Sequence, residues 1–277
     1  MKISPDMTTV GLQAPTNGWR QPTARERSDA NRLRVLTAVA EHGHLRCSDL
    51  ATCWPGAKYP EQMAQRRVRA LVDAGELLAR RNAHGGTSYV LTRPGAAALE
   101  VRGVAARHGL DLASVRGATF THHALTSRWC LHKRSMGVEA WHEYAVVNGL
   151  APISAQTLLA VYGKLPDAVL IRGNRLTLCE TEVSPKSTTE LMRIAALAEQ
   201  VGKRLHPELP FVLAGVCLIF DTEQNHAARF QKAARERWRM YSPAHQVTLA
   251  NRVTLERVSL GLPLVWRGCA EEWLTLR

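Results

Sequence analysis

The sequence has no cysteine pair at the CxxC spacing of zinc fingers and redox motifs, although it contains six cysteines in 277 residues. Because these cysteines are scattered, we expect no disulfide framework, and a reducing cytoplasm is the expected location. The longest apolar run, residues 211–220, is far too short to cross a bilayer. The first residues also lack a basic stretch followed by an apolar one, so we expect no signal peptide and no membrane partner.

Positive charge is what the chain has in excess. Lys and Arg number 36 against 24 Asp and Glu, which gives a formal net charge of +12. Lys and Arg displace condensed counterions from phosphate, so this balance favours a polyanionic partner. The charge alone would fit nucleic acid or an acidic membrane surface. The length and the 45% hydrophobic content allow one large or two modest domains.

Residues 28–102 have the pattern of a winged helix-turn-helix. The expected elements are a helix from an N-cap at Ser28-Asp29 to Gly43, a short helix at 50–53, a helix from Pro60 to Gly75, strands at 77–79 and 88–91, and a helix at 94–99. We expect residues 1–27 to form a flexible arm and residues 103–120 to form a connector. In this fold the third helix enters the major groove of DNA, and the hairpin contacts phosphate or the minor groove.

The candidate DNA-contacting residues follow from this assignment. On the polar face of the third helix they are Gln62, Gln65, Arg66 and Arg69. Gln and Arg can make bidentate contacts to adenine and guanine. Two further arginines just before the hairpin turn, Arg80 and Arg81, suit the DNA backbone. The alternatives are that these side chains form a solvated helix face, or that the winged helix binds a protein.

Residues 121–277 are expected to form a mixed α/β domain. The pattern predicts a helix at 121–136, a hairpin around Gly173-Asn174, a helix at 189–205, a central strand at 211–220, a basic helix at 226–241 and strands at 246–255 and 264–266. Continuing the hairpin register places Asp167 opposite Glu180, with Glu182 on the same face. Opposed carboxylates destabilise a sheet unless they bind a hard cation such as Mg²⁺ or Mn²⁺. We therefore predict Asp167 and Glu180 as metal ligands that help to activate water.

The sequence Pro166-Asp167, a spacer and Glu180-x-Glu182 resemble the PD-(D/E)xK restriction-endonuclease superfamily. The resemblance implies that Asp167 and Glu180 bind metal and that a lysine, here replaced by Glu182, assists the attacking water. Some members of the superfamily have an acid or an amide at that position. With Lys186 as the substitute lysine, the candidate catalytic residues are Asp167, Glu180, Glu182 and Lys186.

Two further residues are candidates for the same site. Lys133 on the preceding helix is an alternative source of positive charge, and Glu139 could be the additional acid that many members carry on an upstream helix. The alternative interpretation of the acids is a solvated hairpin face with an ordinary ion-pair partner such as Lys164. In that case no cofactor is expected.

The wider arrangement is similar to plasmid replication-relaxation proteins, which combine an N-terminal winged helix with a degenerate nuclease-like domain. The matching stretches are residues 122–125, 141–143, 165–169, 179–182 and the helix at 189–205. This resemblance implies a plasmid or mobile-element protein acting in replication, relaxation or transfer. The implied partners are double-stranded DNA, a relaxase or replication initiator, and a second copy of the chain, although no heptad seam supports a dimer.

The leading expectation is a sequence-specific DNA-binding protein with metal-dependent DNA nicking. One alternative is a transcriptional regulator whose second domain is an inactive binding or dimerisation module, which Glu182 in the lysine position favours. Another is an accessory protein that loads a relaxase or initiator without cleaving DNA.

Overall fold

The computed structural model describes residues 20–109, 115–207, 209–221, 226–261 and 265–276. Most of the predicted flexible arm, residues 1–19, lies outside this range. The described chain is mixed α/β, as predicted, with one three-stranded and one six-stranded sheet. Among the described residues, no helix combines the length and the apolar character needed to span a bilayer.

The N-terminal unit contains the helices and strands in the order predicted, with one strand added. Its elements are α1 (Ala24–His42), β1 (His44–Arg46), α2 (Cys47–Leu50) with a 3₁₀ turn (Ala51–Cys53), α3 (Pro60–Asp73), β2 (Leu77–Arg81), β3 (Thr87–Leu91) and α4 (Arg93–Glu100). The three strands form an antiparallel sheet in the order β1-β3-β2. The turn between β2 and β3 therefore connects an edge strand of this small sheet to its central strand.

The start of α1 corrects the prediction that Ser28 and Asp29 cap the first helix. The helix begins at Ala24, and Thr23 and Glu26 form a capping box at its N-terminus. The Thr23 hydroxyl accepts from the Glu26 amide, and the Glu26 carboxylate accepts from the Thr23 amide. This reciprocal pair satisfies two amides that would otherwise lack partners, which outweighs the weaker signal from Ser28 and Asp29.

The second unit is built on the six-stranded sheet. Its elements are α5 (Phe120–Ser135), β4 (Glu139–His142), α6 (Glu143–Val147), α7 (Ala155–Tyr162), β5 (Ala168–Arg172), β6 (Arg175–Glu182), α8 (Thr188–Leu197) with a 3₁₀ turn (Ala198–Gln200), β7 (Val212–Asp221), α9 (His226–Trp238), α10 (Pro243–Ala250), β8 (Val253–Gly261) and β9 (Val265–Trp273). The strands lie in the order β4-β5-β6-β7-β8-β9. Only β6–β7 and β7–β8 pair in parallel.

Three sequence predictions for this unit need correction. The strand expected at 246–255 is wrong, because α10 occupies the first part and β8 begins only at Val253. Ser242 caps α10 and Pro243 occupies its first turn, a combination that favours a helix start. The helix expected to continue to residue 205 ends at Leu197 and gives way to a 3₁₀ turn. The third concerns Glu139, which begins β4 rather than lying on a helix.

The large sheet buries both faces. Alternation along β5 and β6 sends Val169 and Leu178 into a core shared with α8 and α9. Ala168 and Cys179 point the other way, into a core shared with α5. The result is a three-layer arrangement in which the hairpin lies between helices on either side, so polar residues near its open end are held in a largely desolvated environment.

A buried histidine junction joins the two units. His42 and His44 of the N-terminal unit meet His123 of α5 and His142 of β4. The His44 and His123 rings stack with centroids 4.0 Å apart, and the His123 and His142 centroids are 4.5 Å apart. Burial lowers the pKa of His44 to about 4 and that of His123 to about 3, and it also lowers the pKa values of His42 and His142 well below the ordinary value. All four rings are therefore neutral at pH 7.

Gly95 is required by close packing at the start of α4. A Cβ at this position would overlap the backbone carbonyl oxygen of Glu76. We expect Gly95→Ala to lower the free energy of unfolding by about 1–3 kcal/mol, the usual cost of overpacking. Gly268→Ala is the matched control, because a Cβ there meets nothing within 4 Å. Urea unfolding of both variants measures the difference, and equal stability of the two would contradict this packing.

Candidate functional site

The β5–β6 hairpin has the register predicted from the sequence. Arg172 pairs with Arg175, and the pairing continues regularly to Ala168 opposite Cys179. Gly173 has φ 62°, as the mirror-image two-residue turns require. The next step of this register places Asp167 beside Glu180, at the open end of the hairpin. The Thr181 amide donates to Asp167 Oδ2 at 2.7 Å, which fixes that carboxylate against β6.

Glu180 and Glu182 are almost completely buried, and each is 1% exposed. Two lysines from different segments reach them. Lys164 Nζ lies 2.5 Å from Glu180 Oε2, and Lys186 Nζ lies 2.5 Å from Glu182 Oε1 and 3.7 Å from Glu180 Oε2. Lys186 therefore stands between the two glutamates, so the structure brings together the predicted set of Asp167, Glu180, Glu182 and Lys186. We refer to these four residues and Lys164 as the carboxylate cluster.

Burial makes the acids of this cluster harder to ionise. It raises the pKa of Glu180 to about 7; the Asp167 carboxylate adds to the rise, and Lys164 and Lys186 oppose it. Burial also raises the pKa of Glu182, again against the charge of Lys186. Burial also acts to raise the pKa of Asp167, but the hydrogen bond and charge of His122, together with the Thr181 amide, hold that pKa below the ordinary value. Asp167 is thus the acid that stays ionised throughout the neutral range.

His122 and Glu143 belong to the site although the sequence did not assign them a role in it. His122 Nε2 lies 3.1 Å from Asp167 Oδ2. Burial acts to lower the pKa of His122, but the bond to Asp167 and its charge outweigh that and raise it. The Glu143 amide donates to the Asp167 carbonyl at 2.9 Å, and burial with the Asp167 charge raises the pKa of Glu143. The only sequence signal was their presence in the short stretches 122–125 and 141–143.

Two predicted contributors lie elsewhere. Lys133 forms a buried ion pair with Glu256 and lies 3.4 Å from Glu271 Oε2, so it is committed to β8 and β9. Glu139 is exposed on β4 and accepts a hydrogen bond from the Trp141 indole at 3.0 Å. Neither residue forms a hydrogen bond or ion pair with the carboxylate cluster among the described residues, whereas Glu143 lies close enough for the Asp167 charge to act on it.

The cluster offers oxygen ligands of the kind that Mg²⁺ and Mn²⁺ prefer. Within the described part of the chain, no group of three or more His, Cys, Asp or Glu is arranged to hold a metal. Mg²⁺, however, is commonly held by one or two carboxylates, with water and substrate phosphates completing its shell. Glu180 Oε1 is buried and accepts no hydrogen bond among the described residues, so its lone pairs remain available. Asp167 and Glu180 therefore fit such an ion.

A cavity of about 680 Å³ opens beside the cluster. Lys164 and Lys186 line it on the cluster side, and Tyr162 of α7 and Arg193 of α8 line it elsewhere. The cavity therefore exposes Lys164 and Lys186, the two lysines that contact Glu180, to solvent and to small anionic groups.

The α3 surface consists of the exposed residues of that helix. Gln62, Gln65, Arg66 and Arg69 all lie on it, and each is three or four residues from two of the others, so they share one face. Their side chains make no hydrogen bond or ion pair with any part of the chain that the structure describes. Arg67, by contrast, is half-buried and donates to the Ser28 hydroxyl at 3.2 Å.

The arginines of the β2–β3 hairpin differ from each other. Arg81 is exposed, whereas Arg80 is half-buried and donates to the neighbouring Ala79 carbonyl at 3.3 Å. The tip of the hairpin is docked onto the second unit. His84 Nε2 lies 2.9 Å from Thr121 Oγ1, and the Ala83 amide donates to the Val115 carbonyl at 3.0 Å.

Comparisons of the chain with protein-family models, with curated proteins and with solved structures each give no match. Function must therefore be inferred from the side chains, their contacts and their charges.

Proposed function

We propose that this protein binds double-stranded DNA in a sequence-specific manner through α3. The α3 surface supports this most directly, because Gln62, Gln65, Arg66 and Arg69 on it are of the types that read adenine and guanine. Because these side chains form no hydrogen bond or ion pair with the described chain, a ligand can bind them without breaking an internal contact. Arg80 and Arg81 on the adjacent hairpin would add contacts to the DNA backbone.

Gel-shift titration of a DNA site selected from random sequence tests this proposal. Arg66→Ala and Arg69→Ala are each expected to weaken specific binding by about 1–3 kcal/mol, roughly 5- to 150-fold. The Arg80→Ala, Arg81→Ala double variant should lower the salt slope by about two units while preserving sequence preference. Arg102→Ala, an exposed arginine outside both elements, is the control. Unchanged affinity in both sets would overturn the assignment of α3 as the reading helix.

A second candidate function is metal-dependent hydrolysis of a DNA phosphodiester at the carboxylate cluster. The position of Lys186 favours it. The motif has a lysine where this chain has Glu182, and Lys186 brings a positive charge back to that place by contacting Glu182 and Glu180. Asp167 and Glu180 would hold Mg²⁺ or Mn²⁺, which when bound supplies an activated water and neutralises developing charge on phosphorus. Lys186 would orient the water, and His122 would keep Asp167 in its ionised, fixed position.

The alternative function is a transcriptional regulator with an inactive second domain. One observation favours it: Lys164 and Lys186 already compensate the charges of Glu180 and Glu182, as in a structural ion network. The setting in a plasmid or mobile element, a relaxase or initiator partner and a homodimer remain proposals that rest on the sequence resemblance.

A further inference from the structure

The tip of the β2–β3 hairpin is a rigid structure. Asn82 is buried, and its Oδ1 accepts from the amides of His84 and Gly86, each at 3.1 Å. Its Nδ2 lies 3.3 Å from the Ser88 hydroxyl. The His84 ring also packs against Phe120, with centroids 5.5 Å apart. The tip is therefore fixed internally and fixed against α5.

The first turn of α5 connects this tip to the carboxylate cluster. Thr121 contacts His84, and the next residue, His122, contacts Asp167. Consecutive Cα atoms are 3.8 Å apart, so the His84 ring and the Asp167 carboxylate are separated by at most about 17 Å. In B-DNA that distance corresponds to about five base pairs.

Positive groups lie along the same path. Arg81 is exposed beside the hairpin turn, and Arg116 is exposed next to Val115, to which the tip is bonded. Lys164 and Lys186 stand at the cluster end. A DNA duplex carries one phosphate charge per about 1.7 Å of axis, so a cationic track of this length complements a short segment of backbone. The cluster end of the path also carries the acids Asp167, Glu143, Glu180 and Glu182, and the two lysines pair with Glu180 and Glu182.

We propose that one DNA duplex lies across both units, so that the hairpin and the carboxylate cluster contact phosphates less than one helical turn apart. This inference rests on the proposed DNA binding. It adds a distance along the DNA, from the base pairs that the N-terminal unit recognises to the phosphates that reach the carboxylate cluster. The docked tip makes this distance a fixed property of the fold.

Tethered hydroxyl-radical cleavage measures this distance without requiring nuclease activity. An iron chelate is attached to Arg81→Cys at the hairpin and, separately, to Lys164→Cys at the cluster, and each protein is bound to the selected DNA. Arg193→Cys on the rim of the same cavity is a second cluster probe, in case Lys164→Cys fails to fold. The wild-type chain treated with the same reagent gives the background from its own cysteines.

The cuts from the hairpin and cluster probes should centre within about 10 base pairs of each other, one helical turn. Wider separation, or hairpin cuts without cluster cuts from either probe, would overturn the inference while leaving DNA binding intact. No gel shift and no cuts from any probe would show that the proposed DNA binding itself fails, and the inference with it.

Discussion

Asp167→Ala and Glu180→Ala are each expected to reduce Mg²⁺- or Mn²⁺-dependent nicking of supercoiled plasmid by about 10³-fold or more. Metal-assisted charge stabilisation contributes several kcal/mol, and each 1.36 kcal/mol changes the rate tenfold. In the proposed site Asp167 would be the ionised ligand, because its pKa lies below the ordinary value. Glu180 would supply Oε1, which is buried and has no hydrogen-bond partner among the described residues. The measurement is conversion of supercoiled plasmid carrying the selected site to open circles, followed over time.

Glu139→Ala is the matched control for these variants. Glu139 is a nearby acid of the same domain that lies outside the carboxylate cluster, so its loss should leave the nicking rate unchanged. Nicking that persists in both cluster variants would point to a contaminating nuclease. Absence of nicking by the wild type on its own site would refute hydrolysis and leave the regulator as the better proposal.

Lowering the pH from 7 to 4.5 is expected to destabilise the folded chain by several kcal/mol, because of the histidine junction. A histidine whose pKa is depressed in the folded state binds protons mainly in the unfolded state. Its stabilising contribution is complete above pH 6.5 and is lost as the pH falls towards the folded pKa. For His44 alone, lowering the pH from 6.5 to about 4 removes about 3 kcal/mol from the free energy of unfolding.

Groups around the junction modify this effect. Arg134 faces His42 and Arg46 faces His44, and both favour the neutral ring. Glu180 acts in the opposite direction, since an acid with a raised pKa becomes less costly to bury as the pH falls. Glu41, Glu143 and Glu182 also have raised pKa values and act in the same direction as Glu180. The four histidines, whose pKa values are all lowered by burial, outweigh these acids, so we expect a net loss of stability.

Urea unfolding at pH 7.5, 6.5, 5.5 and 4.5 measures this dependence. His44→Phe keeps an aromatic ring against His123 and Phe120 and should flatten the curve. His108→Gln changes an exposed histidine and should leave it unchanged. A wild-type stability that stays constant from pH 7.5 to 4.5 would contradict the assignment of neutral buried rings.

The hairpin and its acids could be predicted from the sequence because the determining information is local. A two-residue turn at Gly173-Asn174 fixes the register, and alternation then fixes which side chains share a face. The roles of His122 and Glu143 could not be predicted in the same way. They reach Asp167 from a different helix and from the end of a different strand, and only the packing of the layers decides that.

The two lysines illustrate the same limit. The sequence predicts Lys186 as the substitute lysine, with Lys133 as an alternative. Lys186 follows β6 by four residues and turns back onto Glu182. Lys133 lies on the α5 side of the sheet, where it contacts Glu256 of β8 and Glu271 of β9. That pairing joins residues more than 120 positions apart, and no periodicity in the sequence reveals it.

The junction between the two units limits how this protein can be divided or recombined. Leu131 of α5 is buried in the hydrophobic cluster of the N-terminal unit, and Leu150 packs against the same cluster. A fragment ending near residue 102 would lose both side chains, and it would expose the faces of His42 and His44 that pack against His142, His123 and Phe120. Exchange of this N-terminal unit with that of another protein would therefore need compensating changes in α5.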